Sequence, residues 1–118
     1  MKVAIVGSRN VEIDNLEKYI RGYDEIVSGG AKGVDLCAKE YAQRNGLKYT
    51  EFLPQYERYG RAAPLKRNEE IVKYADVIIV FWDGKSRGSK YTIDYAKKLK
   101  KDILVVIVGK DQSSAIDG

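Results

Sequence analysis

Residues 77–89 have the sequence VIIVFWDGKSRGS, a short run of β-branched and aromatic residues that ends in a glycine- and serine-rich turn. A nearly continuous apolar run such as residues 77–82 (VIIVFW) is typical of a strand buried on both faces, as in a parallel sheet. Similar runs occur at residues 2–7 (KVAIVG), 25–28 (EIVS) and 103–108 (ILVVIV), and a weaker one at residues 48–52 (KYTEF). The chain therefore contains five candidate strands.

Amphipathic helical patterns separate the candidate strands. The first helix starts with the capping-box pair Asp14 and Glu17, and the second ends at Asn45-Gly46. The third begins near Pro64, and the fourth covers residues 89–101. The side chains expected to pack inward are Leu16, Tyr19, Ile20 and Tyr23, then Val34, Cys37, Ala38, Tyr41 and Ala42, then Ile71, Val72 and Ala75, and finally Ile93, Ala96 and Leu99.

The alternation of strands and helices predicts an α/β fold with a doubly wound, parallel, five-stranded sheet. We expect the strand order 3-2-1-4-5, right-handed crossovers and helices on both faces. A chain of 118 residues suffices for one domain, which we place at residues 1–110. Residues 53–63 are expected to form a loop, and residues 111–118 a flexible tail.

Composition excludes several kinds of chemistry. The chain has no histidine and a single cysteine, Cys37, so it lacks the ligands of a zinc site and the base of a Ser–His or Cys–His pair. The net charge of +4 favours anionic ligands. No apolar run is long enough to span a bilayer and no signal peptide is visible, so we expect a cytoplasmic protein without membrane contact.

Three strand ends carry unusual sequence: Gly7-Ser8-Arg9, residues 28–35 (SGGAKGVD) and residues 82–89 (WDGKSRGS). In such a sheet, ligands bind beyond the carboxyl ends of the strands. Glycine turns that lead into helices bring backbone amides and the helix dipole to an anion, although such turns also occur for purely structural reasons. Together the three ends predict a phosphate or nucleotide site. The spacings of the G-x-G-x-x-G and P-loop motifs are absent.

Other residues near this edge have a functional and a structural interpretation each. Arg67-Asn68 at the start of the third helix offers a phosphate clamp, or a solvated arginine. For Asp35 the functional interpretation is a ribose or base ligand, and the structural one is a charge that stabilises a helix start. For Asp83 the functional interpretation is accepting a hydrogen bond from a ribose or holding Mg²⁺ with the nucleotide, and the structural one is closing a turn. For Trp82 the alternatives are stacking on a base and packing in the core. The candidate ligand-binding residues are Gly7, Ser8, Arg9, Ser28, Gly29, Gly30, Ala31, Gly33, Asp35, Arg67, Asn68, Trp82, Asp83, Gly84, Ser86, Gly88 and Ser89.

An ordered set of motifs covers nearly the whole chain apart from the tail. They are Gly7-Ser8-Arg9, residues 28–35, Tyr59-Gly60 with Ala62-Ala63-Pro64, Arg67-Asn68, Ala75-Asp76 and residues 81–89. In this order they resemble the YspA-related branch of the SLOG superfamily. The resemblance implies a Rossmann-like fold and a nucleotide or nucleotide-derived ligand at this strand edge, bound by a sensor or by a hydrolase of N-glycosidic or phosphate bonds.

Two relatives within that superfamily frame the alternatives. The Lonely Guy phosphoribohydrolases, which cleave nucleoside monophosphates, use an arginine that aligns with Arg67 and a glutamate at the position of Thr92. Asp94 follows two residues later, about 200° around a helix, so it would face elsewhere. The resemblance therefore favours binding over catalysis, and no catalytic residue is assigned.

The second relative is the DNA-processing protein family, which shares Gly-Ser-Arg and Ser-Gly-x-Ala-x-Gly-x-Asp and binds single-stranded DNA. A cluster of tyrosines and arginines is compatible with covering a ligand, stacking on nucleic acid or contacting a protein: Tyr49, Tyr56, Tyr59, Arg58 and Arg61. Because the positive charge is spread along the sequence, nucleic acid is a less favoured partner than a small nucleotide. Several tyrosines and the small size make a homodimer plausible.

Overall fold

The computed structural model describes residues 1–7, 13, 16–29 and 34–108, with the backbone alone for Val34 and Asp35. Strands and helices alternate as the sequence predicts. The elements are β1 (Lys2–Gly7), α1 (Glu17–Ile20), β2 (Glu25–Ser28), α2 (Val34–Arg44), β3 (Lys48–Glu51), α3 (Tyr56–Tyr59), a 3-10 turn (Gly60–Ala62), α4 (Ala63–Tyr74), β4 (Val77–Trp82), α5 (Arg87–Lys98) and β5 (Asp102–Ile107).

The five strands form one sheet of order β3-β2-β1-β4-β5, and every neighbouring pair is parallel. The predicted strand order is confirmed. The register places Ile5 beside Ser28 on one side of β1 and Gly7 beside Phe81 on the other. Because all strands point the same way, the carboxyl ends of β1, β2 and β4 meet at one edge of the sheet.

Alternate residues of each strand feed two apolar layers, one on each face. Val3 and Ile5 of β1 pack with the side chains of α1 and α2, whereas Ala4 and Val6 pack with those of α4 and α5. The connection after β1 therefore runs over one face of the sheet, and the connection after β4 runs over the opposite face. Such a change of direction between neighbouring strands opens a crevice at their carboxyl ends.

The prediction that residues 103–108 are buried on both faces is wrong. β5 is an edge strand, and its residues alternate between exposed and half-buried. Leu104 is 46% exposed and Ile107 53%, although their neighbours across the ladder, Ile79 and Trp82, are buried or half-buried. An edge strand has a partner on one side alone, so it is shielded less completely than β1 or β4.

Two helix ends use the same geometry with different residues. At the end of α2, Gly46 takes a left-handed conformation with φ +65°, and Leu47 N donates to Ala42 O. At the end of α5, Lys100 takes the same left-handed conformation, with φ +58°. Both are Schellman motifs, which favour glycine at the left-handed position. Because this position in α5 is a lysine, the sequence did not reveal the helix end.

Three predictions about helix bounds need correction. The fourth predicted helix, α5, spans Arg87–Lys98, not residues 89–101, and Leu99, expected to be buried, is 37% exposed. Residues 53–63 are not a continuous loop, because they contain α3 and the 3-10 turn. The described part of the first helix is Glu17–Ile20, so Tyr23 packs on the core from beyond its end.

Two further predictions concern the chain outside the described residues: the capping role of Asp14 and the flexible tail at residues 111–118. In the described part of the chain, no helix combines the length and apolar character that crossing a bilayer requires.

Candidate anion-binding site

Arg67 lies against the end of β2, as a clamp at this edge requires. The side chain extends from the first turns of α4, and its Nη1 donates to the carbonyl oxygen of Gly29 at 2.5 Å. Gly29 directly follows the last residue of β2, and the arginine is half-buried there. The tertiary structure therefore brings together two candidate residues that are 38 positions apart in the chain.

Asn68 holds the guanidinium in this orientation. It is 7% exposed, and its Oδ1 accepts a hydrogen bond from Arg67 Nε at 2.8 Å. A buried amide with a fixed partner orients the planar guanidinium and lowers the entropy lost when Arg67 binds an anion. Asn68, expected to bind the ligand, is thus placed to position Arg67.

Gly29 is a glycine for a steric reason. A Cβ built at this position would lie 2.6 Å from Nη1 of Arg67 and 2.9 Å from its Cδ and Cζ. The arginine occupies the space that any other side chain would need. The sequence suggested that Gly29 offers its amide to a phosphate, whereas the structure shows its carbonyl oxygen receiving Arg67.

The turn after β4 is held by its own atoms. Asp83 Oδ1 accepts hydrogen bonds from the amides of Lys85 and Ser86, each at 2.8 Å, and Trp82 Nε1 donates to Ser86 O at 3.0 Å. Gly84 takes φ +82° within this turn. The structural interpretations of Asp83 and Trp82 therefore describe contacts that are present: the carboxylate closes the turn, and the indole packs on the core beneath it.

The start of α5 retains unused donors. Ser86 caps the helix by accepting from the amide of Ser89 at 3.4 Å. The amides of Arg87 and Gly88 donate to no atom of the described residues. A Cβ added to Gly88 would meet nothing within 4 Å, so this side of the first turn is open. Amides without an acceptor at the positive end of a helix favour an anion.

Two candidate serines have their side chains inside the protein. Ser28 is fully buried, and its hydroxyl shares a hydrogen bond with that of Tyr49. Ser89 is 3% exposed at the packed side of α5. The Ser28 hydroxyl stabilises the end of β2. An incoming ligand would have to displace packed neighbours to reach either serine side chain.

Gly7 ends β1 beside Phe81 of β4, at the crevice between the two strands. Ser8, Arg9, Gly30, Ala31 and Gly33 lie outside the described residues, and so does the side chain of Asp35.

No carboxylate of the described residues takes the place of the phosphoribohydrolase glutamate. Thr92 at that position is fully buried and donates its Oγ1 hydrogen to Gly88 O at 2.9 Å. Asp94 lies on the exposed side of α5 and pairs with Lys90 at 2.9 Å. Tyr91 donates its hydroxyl to Glu69 of α4. This hydrogen bond and partial burial raise the pKa of Tyr91, so its hydroxyl is a poor base near neutral pH.

The described residues offer few ligands to a magnesium ion carried in by a nucleotide. Among residues 1–7, 13, 16–29 and 34–108, no three His, Cys, Asp or Glu side chains gather closely enough to hold a metal. One oxygen of Asp83 already accepts two amides. These contacts of the described residues do not fit a protein-held metal.

Searches with this chain against protein-family models, curated proteins and solved structures find no match. The class of the protein is therefore defined by its fold: a doubly wound α/β domain with a candidate anion site at the carboxyl edge of its sheet. The SLOG resemblance continues to rest on the motifs quoted above, and the function is a proposal from geometry.

Proposed function

We propose that this protein binds a nucleotide or a nucleotide-derived ligand at the carboxyl ends of β1, β2 and β4. The observation that carries the proposal is the Arg67 guanidinium, held on Gly29 O by the buried Asn68. A half-buried, oriented guanidinium pairs more strongly with a phosphate than a mobile surface arginine does.

The start of α5 supports a phosphate in particular. The amides of Arg87 and Gly88 have no acceptor among the described residues, and together with the positive end of the helix dipole they favour negative charge. The exposed Arg87 side chain adds a cation. The crevice between β1 and β4 is also where open α/β sheets bind mononucleotides and dinucleotides. The SLOG resemblance supports the same ligand class.

The site favours binding over hydrolysis, because Thr92 and Asp94 supply no carboxylate at the position that the related hydrolases use. Phosphoribohydrolase activity remains the alternative. It is measured as free adenine released from AMP, with Arg67→Ala as the inactive reference. Release that depends on Arg67 would replace the binding proposal with the enzymatic one.

The test of binding is a thermal-shift screen with AMP, ADP, ATP, NAD, ADP-ribose and cyclic nucleotides. A ligand at ~100 times its Kd stabilises the native state by about 2.7 kcal/mol, a shift of several degrees. Arg67→Ala should abolish the shift. Lys66→Ala, which removes a neighbouring charge without touching Gly29, should retain it. A flat screen, or equal losses in the two variants, would overturn the proposal.

A further inference from the structure

The net positive charge of the chain lies in one segment. Of the 21 basic residues, seven fall within residues 84–101, against one of the 17 acidic residues. The remaining 14 basic and 16 acidic residues make the rest of the chain slightly negative. The basic residues of the segment are Lys85, Arg87, Lys90, Lys97, Lys98, Lys100 and Lys101.

The structure collects much of this charge on one side of α5. At 100° per residue, Arg87, Lys90, Lys97 and Lys98 fall within an arc of about 100°. All four are exposed, whereas the buried residues of the helix lie on the opposite side. We call these four residues the basic face. The sequence pattern predicted positive charge spread along the chain, whereas the structure places these four cations on one exposed face of α5.

Little of this charge is neutralised. Asp94 lies within the same arc and pairs with Lys90 at 2.9 Å. Among the described residues, Arg87, Lys97 and Lys98 form no ion pair with a carboxylate. Lys101 is used differently, because its Nζ donates to Ala75 O at 2.9 Å, just after α4.

We propose that the basic face binds the phosphate backbone of a nucleic acid, independently of its sequence. From Arg87 to Lys98 the helix rises about 16 Å, so several successive phosphates of one strand lie within reach of its cations. A ligand that repeats one negative charge at short intervals is complementary to a row of unpaired cations on a straight helix.

The composition of this surface argues against other partners. Protein interfaces have a charge-depleted centre with aromatic or apolar anchors, whereas the basic face consists of four cations, and the half-buried Tyr91 beside it is bound to Glu69 of α4. A helix that lies on a membrane inserts an apolar side, whereas Ile93 and Ala96 of α5 are buried in the core of this domain. Charge without an apolar anchor is the property that phosphate-backbone binding needs.

Arg87 belongs to both proposed sites, but the other end of the basic face lies apart from the nucleotide site. Lys97 and Lys98 are about 15 Å along the helix from the amides of Arg87 and Gly88. A change at these two lysines can remove nucleic-acid binding and leave the nucleotide-induced thermal shift intact, so the two proposals can fail separately.

The test measures the fluorescence anisotropy of a labelled 20-nucleotide single-stranded DNA of mixed sequence between 50 and 300 mM NaCl. The double variant Lys97→Glu/Lys98→Glu is compared with Lys39→Glu/Arg44→Glu on α2, which changes the net charge equally on another exposed helix. The variant Lys97→Glu/Lys98→Glu should lose at least about tenfold in DNA affinity and have a shallower salt dependence. The control on α2 should lose less than about threefold in DNA affinity.

Removing Asp94 should have the opposite effect. Asp94→Asn releases Lys90 from its ion pair and should raise DNA affinity by about threefold at low salt. Glu40→Gln, which makes the same charge change on α2, should raise the DNA affinity by less than Asp94→Asn does. This gain cannot arise from a folding defect, which would weaken binding.

Three results would overturn the proposal. They are a wild-type protein that does not bind the DNA at 50 mM NaCl, equal losses in the two double variants, and a 20-residue polyglutamate peptide that competes as well as unlabelled DNA. The last result would indicate an acidic protein partner.

Discussion

Arg67 and Gly29 show how one contact assigns roles to several residues. Arg67 donates to Gly29 O through Nη1 and to Asn68 Oδ1 through Nε. The missing Cβ of Gly29 provides the space for the guanidinium. In the proposed function, the glycine and the asparagine act on a ligand through the arginine.

The variant Gly29→Ala tests this relation. Gly29 is not among the described glycines with positive φ, so alanine meets no backbone strain, but its Cβ displaces the Arg67 side chain. We expect nucleotide affinity to fall as far as in Arg67→Ala, while the free energy of unfolding falls by about 1 kcal/mol for the lost hydrogen bond. Isothermal titration and urea unfolding measure the two quantities.

The control is the same substitution without the arginine. In the Arg67→Ala background, Gly29→Ala should change ligand affinity by less than twofold, because the displaced group is already gone. Additive losses in the double variant would contradict the proposed relation between the two residues.

The first turn of α5 has opposite requirements for stability and for anion binding. An aspartate at Gly88 would interact favourably with the helix dipole and remove a flexible glycine, which together stabilise the helix by about 1 kcal/mol. The same carboxylate would repel a phosphate at the amides of Arg87 and Gly88. We therefore expect Gly88→Asp to raise Tm and to abolish the nucleotide-induced thermal shift.

Gly88→Asn separates charge from shape, because it has nearly the same size without the charge. It should retain a larger part of the nucleotide affinity than Gly88→Asp does. If both variants bind the nucleotide as well as the wild type, the anion does not lie at the start of α5.

The end of α5 contains a testable strain. Lys100 adopts φ +58°, a conformation that is unfavourable for residues with a Cβ and free of strain for glycine. Lys100→Gly should therefore stabilise the protein by about 1 kcal/mol, or about 4 °C in Tm. The reverse change at the matching position of α2, Gly46→Lys, should destabilise it by a similar amount. A lower Tm for Lys100→Gly would contradict this assignment.

At the scale of the whole molecule, Glu25 joins the sheet to a helix at the edge opposite the candidate site. It is 8% exposed and accepts hydrogen bonds from Tyr74 of α4 at 2.5 Å and from Thr50 of β3 at 2.7 Å. Lys48 approaches it at 3.7 Å. Burial raises the pKa of Glu25, but these hydrogen bonds and the lysine lower it more, so the net value is below the ordinary 4.5.

A lowered pKa in the folded state means that ionised Glu25 stabilises the fold above pH 4.5, and that this stability is lost as the pH falls through the folded value. We expect Glu25→Gln to lower the free energy of unfolding at pH 7 by about 2 kcal/mol. The difference in the free energy of unfolding between the wild type and this variant should narrow below pH 4.5. Urea unfolding from pH 7 to pH 3 measures this difference, with the exposed Glu57→Gln as control. A difference that is constant with pH would contradict the role of the ionised carboxylate.

Homodimer formation stays a prediction. Among the described strands, β3 and β5 form the two edges of the sheet, and β5 exposes Leu104 and Ile107. Sedimentation velocity across a range of concentrations measures the oligomeric state directly.

The accuracy of the sequence predictions depends on how local each signal is. Strand β4 was predicted with its observed bounds, because six consecutive apolar residues specify it. The end of α2 was visible in Gly46, whereas the equivalent end of α5 was hidden by Lys100. For Ser28 and Asn68 the pattern identified the correct edge of the sheet, but not that they are buried in contact with Tyr49 and Arg67.

The sequence by itself determined the five strands, their parallel order and the edge at which glycine turns collect, because apolar periodicity and turn residues act over a few neighbouring positions. Only the tertiary structure decided that Arg67 occupies the space over Gly29, since side chains 38 residues apart meet through packing of the whole sheet. It also decided that the cations of α5 share one exposed face. Which side of a helix meets solvent depends on what its other side packs against, and that is a property of the assembled core.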